Sequence, residues 1–152
     1  MNIKKTLTYI LATSLLALTP VKTNAQNTYS IKIESSDELK KEIANDIINL
    51  ATDIDNDGKP DKEGYEILFK KLEKEYNKDQ STEEFQKQMQ DYVSGIKNDN
   101  QLSILYENAC SMFTEKDISV YLDKMFEVYL PKMLEEAAPK IEEQLDQIIK
   151  SK

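Results

Sequence analysis

The sequence predicts an all-α fold, a single helical bundle of five or six helices preceded by a short extended arm. Three observations predict it. From residue 37 onward the apolar residues recur at helical spacing. Serine or threonine followed three places later by glutamate opens several of these stripes, at Ser35-x-x-Glu38 and Ser81-x-x-Glu84. Period-2 alternation is confined to Tyr29, Ile31 and Ile33, too short for more than an edge strand or an arm.

Residues 1–25 are read as a signal peptide. Lys4 and Lys5 precede an apolar run from Leu7 to Leu18, and Ala25 supplies a small residue before a polar start. That run is about 12 residues, against the roughly 20 a spanning helix needs, so stable membrane insertion after cleavage is not expected. The expected location is periplasmic or secreted. Residues 26–36 are the extended arm and 37–150 the helical domain.

Within that domain the first helix is expected over 37–52, with Leu39, Ile43, Ile47 and Ile48 on one face. A second is expected over about 62–77, carrying Tyr65, Leu68, Phe69, Leu72 and Tyr76. A third runs from Ser81 to about Ile96, and a fourth over about 100–112. Thr114 then caps a long stretch reaching Lys150. Pro131 and Pro139 interrupt that stretch, which implies either a break near Leu130 or a kinked continuous helix.

Composition removes several function classes. The chain of 152 residues has 28 acidic and 20 basic residues, and none of its residues is His. Every basic residue is Lys, so the planar fork that grips phosphate and carboxylate is missing. Without imidazole, triads built on Ser/His/Asp or Cys/His cannot form. The net charge of −8 becomes −11 when Lys4, Lys5 and Lys22 leave with the signal segment, which disfavours nucleic acid as a partner. Lone Cys110 lies on an apolar stripe and reads as a buried small hydrophobe. Ser94-x-x-Lys97 falls at a helix end and lacks companion motifs, and adjacent acid pairs such as Glu142-Glu143 point about 100° apart on a helix, which precludes two carboxylates flanking one bond. The expectation is a non-enzymatic protein.

Between the first two helices lies Asp53-Ile54-Asp55-Asn56-Asp57-Gly58-Lys59-Pro60-Asp61-Lys62-Glu63-Gly64-Tyr65-Glu66. Alternating acids on a tightly turning segment bring hard oxygens to one point, and a Gly at the sixth position permits the sharp turn. The candidate calcium ligands are the side chains of Asp53, Asp55 and Asp57, the Lys59 carbonyl, Asp61 directly or through water, and Glu63 or Glu66 to close the site. The segment resembles EF-hand loops and extracellular bacterial Asp-x-Asp-x-Asp-Gly calcium repeats. That resemblance implies an ion that organises local structure. The loop departs from the EF-hand at the twelfth position, where Gly64 replaces the bidentate Glu; either glutamate closes the site, or water does and the affinity falls to the order of 10⁻⁴–10⁻³ M.

A second, shorter likeness covers 113–139. Phe113-Thr114-Glu115, then Lys132-Met133-Leu134 and Pro139, resemble an exported all-helical bacterial domain family of unknown function, although Lys124-Met125 stand where that family has Phe-Tyr and its Gly is missing. The functional expectation is an exported acidic module with one structural calcium loop that binds a protein partner, of open identity and oligomeric state. The alternatives are a metal-independent adaptor, inhibitor or immunity-type protein meeting a basic partner, and a small-ligand or lipid carrier.

Overall fold

The computed structural model describes residues 35–151. Residues 1–25, expected to be a signal peptide, and all of the expected arm except Ser35 and Ser36 lie outside the described residues. The chain is all helical: α1 (Asp37–Thr52), α2 (Lys62–Lys71), α3 (Thr82–Ser94), α4 (Asp99–Cys110), α5 (Glu115–Lys124) and α6 (Leu130–Lys150). A π-helical turn, Met125–Tyr129, joins α5 to α6 without a break, so the two form one long rod and the bundle has five helical bodies.

Helix α1 is the centre. Its buried stripe of Leu39, Ile43, Ala44, Ile47, Ile48 and Ala51 meets α2, α3, α4 and α5. Those partners bring Leu68, Phe69, Phe85, Met89, Val93, Leu105 and Tyr106, all buried, into one continuous core. Aromatic rings fill the α2–α3 corner, where Phe69, Tyr76 and Phe85 stand with centroids 5.6–5.7 Å apart in tilted pairs. Cys110 is buried, and desolvation pushes its thiol up to about 12, so it behaves as packing material.

Two boundaries differ from the sequence reading. The cap of α1 is Ser36 rather than Ser35: Ser36 has the extended backbone of a capping residue, and its hydroxyl accepts from Leu39 N–H at 3.2 Å. Helix α2 stops at Lys71 rather than near 77. Glu73 takes a positive φ of 51°, Lys74 N–H reaches back to the Phe69 carbonyl, and Glu73 N–H to that of Lys70. This is a Schellman stop with a glutamate where glycine is usual. Tyr76 keeps its expected place against the aromatic cluster by loop return.

The proline question, left open between a break and a continuous helix, is resolved in favour of continuity. In an unbroken α-helix the Pro131 ring would press on the Glu127 carbonyl and leave it without a donor. Instead the helix widens just before it, and Leu130 N–H donates five residues back to Met125. Pro131 then stands in the first turn of α6, while Pro139 is held inside the helix one turn beyond the exposed Glu135.

The rod runs antiparallel to α1 and is fastened to it by polar contacts. Ser36 donates to Glu136 from both N–H (2.9 Å) and Oγ (2.7 Å), Lys132 pairs with Glu42 at 2.5 Å, and the Tyr129 hydroxyl donates to Asp46. Lys124 reaches Asp46 at 3.7 Å. Tyr129, Met133 and Ala137 are the buried apolar residues on the inner face of that contact, and beyond Ala137 the helix continues with no buried residue.

Candidate metal centre

The last turn of α1 delivers Asp53 and the first turn of α2 begins after Asp61, so the two helix ends hold the loop's boundaries. They are tied directly: Asp61 N–H donates to the Thr52 carbonyl at 2.8 Å. Inside the loop Asn56 (φ 61°) and Gly58 (φ 91°) turn the chain through the left-handed region, which Gly58 adopts without strain and Asn tolerates.

These turns aim backbone N–H groups at carboxylates. Asp57 N–H donates to Asp53 Oδ1 at 3.1 Å and Asp55 Oδ1 at 3.0 Å, and Gly58 N–H to Asp53 Oδ2 at 3.0 Å. From the other side, Ile54 and Asp55 N–H donate to Asp61 Oδ2 at 2.8 and 3.2 Å. The result brings one oxygen each of Asp53, Asp55 and Asp61 within 4.8 Å of one another. Among the described residues no lysine ammonium forms a salt bridge with any of the three.

Of the residues singled out in the sequence, Asp53, Asp55 and Asp61 are brought together. Asp57 stands outside that group, its Oδ1 taken up by Lys59 N–H at 2.8 Å. Lys59 is exposed, Glu63 is exposed on the first turn of α2, and Glu66 is half-buried further along; neither glutamate belongs to the group.

The oxygen arrangement suits a divalent cation. Two ligands bound at about 2.4 Å from one ion can be at most about 4.8 Å apart. Each ionised carboxylate offers about four lone-pair sites, so the N–H bonds leave Asp55 Oδ2 and Asp61 Oδ1 free and a second lone pair on Asp55 Oδ1 and on both Asp53 oxygens, while Asp61 Oδ2 is filled by its two donors. Three negative groups at this separation repel by about 1 kcal/mol per pair in water, and by about 3–4 kcal/mol at the effective dielectric of a protein surface. The three aspartates can hold a metal ion; the ligand set alone does not name it.

Gly64 is the residue whose role the sequence did not disclose. A Cβ placed there would sit 2.2 Å from the Thr52 carbonyl oxygen and 2.6 Å from the Thr52 Cα. The position that carries the bidentate glutamate in an EF-hand is here the point where α2 crosses the end of α1, with no room for any side chain. A glycine at the third residue of a helix, where it costs about 1 kcal/mol relative to alanine, was the signal available. Beside it Thr52 is fully buried, its hydroxyl donating to the Ile48 carbonyl at 2.7 Å.

No protein family's sequence pattern matches the chain, and neither a curated protein nor a solved structure is significantly similar to it. The likenesses at 53–66 and 113–139 therefore rest on those residues alone. Among the described residues no helix is long and apolar enough to cross a membrane.

Proposed function

We propose that this is an exported, acidic, non-enzymatic binding module whose Asp53–Asp61 loop holds one calcium ion as a structural clip between α1 and α2. The observation that carries the reading is the convergence of Asp53, Asp55 and Asp61 oxygens within 4.8 Å. Calcium accepts such an all-oxygen, partly hydrated site, and the Lys59 carbonyl and water would complete the six to eight ligands it takes.

Calorimetric titration of the purified chain with calcium tests it. At ten to a hundred times a dissociation constant, binding adds about 1.4–2.7 kcal/mol to the folded state, which raises Tm by several degrees. Absence of both heat and Tm shift at ten millimolar calcium ends the reading.

The metal-independent alternative, an adaptor or inhibitor meeting a basic partner, draws support from the net charge of −8. The carrier alternative draws none from two clefts among the described residues, at Asn45, Ile48 and Met89 and at Asp37, Ile96 and Leu102, which have room for only a water or two.

A further inference from the structure

One face of α6 is an apolar strip with no counterpart among the described residues. On its inner side Met133 and Ala137 are buried, but Leu134, Leu145 and Ile149 are 51%, 43% and 69% exposed. With Ala138 and Ile141 they follow steps of four, three, four and four, so they share one face of a helix turning about 100° per residue. The strip from Leu134 to Ile149 is about 22 Å long. An unpartnered apolar face of this length marks an interaction site.

Its borders say what fits. Glu135, Glu142 and Asp146 fall within about 40° of one another on the wheel, in a row immediately beside the exposed apolar residues, and all three are exposed. No lysine interrupts that row. We propose that the strip docks a basic amphipathic helix of about four turns, its apolar side on Leu134–Ile149 and its lysines or arginines against the acidic row.

Charge decides among the occupants. An anionic lipid surface would meet the acidic row with like charge. A second copy lying antiparallel on the strip would place its own Glu135–Asp146 row alongside this one, and each copy carries −8 overall. A basic helix turns both terms favourable.

This inference rests on the binding-module half of the proposed function and is independent of the calcium half. The strip begins level with Ser36, at the N-terminal end of α1, whereas the aspartate loop follows its C-terminal end, about 24 Å away along a helix of 16 residues. Peptide binding should therefore be the same with and without calcium, and a failure of either titration faults only its own half.

The probe is a synthetic four-turn helical peptide with leucine on one face and lysine on the other, titrated into the purified chain. Leu145→Ser with Ile149→Ser, and separately Glu142→Lys with Asp146→Lys, should each weaken binding at least tenfold while leaving Tm unchanged, because these side chains are exposed. Unaltered affinity in either pair, equal binding of a leucine/glutamate peptide, or a dimer of the chain that Leu145→Ser with Ile149→Ser disperses would overturn the proposal. So would binding that emerges only after Ile31→Ser with Ile33→Ser, which would mean that the chain's own N-terminal segment takes the strip.

Discussion

At the residue scale, two positions carry opposite expectations about space. Gly64 lies against the backbone of Thr52, which cannot yield as a flexible side chain would. Gly64→Ala is expected to destabilise the fold by about 3 kcal/mol, at the upper end of overpacking costs, measured by urea denaturation. Gly58 has nothing within 4 Å of a built Cβ but a φ of 91°, so Gly58→Ala should cost only about 1–2 kcal/mol, from backbone strain alone. Tyr121 presents the reverse opportunity. Its hydroxyl is buried and finds no hydrogen-bond partner among the described residues, and burial drives its pKa far upward. Tyr121→Phe should leave the ring packed between Phe113 and Tyr129 and raise stability by about 1 kcal/mol, seen as a higher urea midpoint with an unchanged slope. None of these three environments could be read from residue types: each depends on which backbone or ring lies opposite, which a single sequence does not state.

At the element scale the clearest test is the fastening of α6 to α1. The backbone N–H of Ser36, and then its hydroxyl, hold the Glu136 carboxylate below its usual range. A depressed folded value means stability that is present above the ordinary value near 4.5 and lost as pH falls through the folded one. Glu136→Gln should thus lower stability at pH 7 by about 0.5 kcal/mol, a figure kept small because the contact is largely solvent-screened. The gap between the two proteins should narrow as pH falls below 4.5, by urea denaturation at pH 7 and across the acid range. Helix existence was legible here because periodic stripes and caps are local signals. The Ser81 capping box and the Thr114 cap formed as patterned, and α1 has its expected span. The stop of α2 was not legible, since a left-handed Glu73 has no compositional signature. The π turn was half legible: Pro131 announced a disturbance, but its form depends on Tyr129 turning inward to Asp46, a residue far away in sequence.

At the scale of the whole molecule, the loop and the bundle share a thermodynamic account. Asp55→Ala removes one of three converging carboxylates while Asp53 and Asp61 keep their other N–H donors, so the calcium-free Tm should barely change and the rise on adding calcium should shrink. Scanning calorimetry with and without ten millimolar calcium checks both parts; a full calcium-induced rise in the variant would contradict the assignment. The acids of the loop were legible from spacing. What spacing could not convey is that Asp57 caps its own turn and that the twelfth position is a crossing point. That crossing has a mechanical result. An EF-hand sensor works by letting its exit helix swing away and bare a groove, but here a comparable swing would lift Gly64 off Thr52 and break the Asp61 bond to the same carbonyl. The loop is built as a rivet, so whatever occupies it would change how long the pair of helices stays closed and leave the molecule's outline as it was.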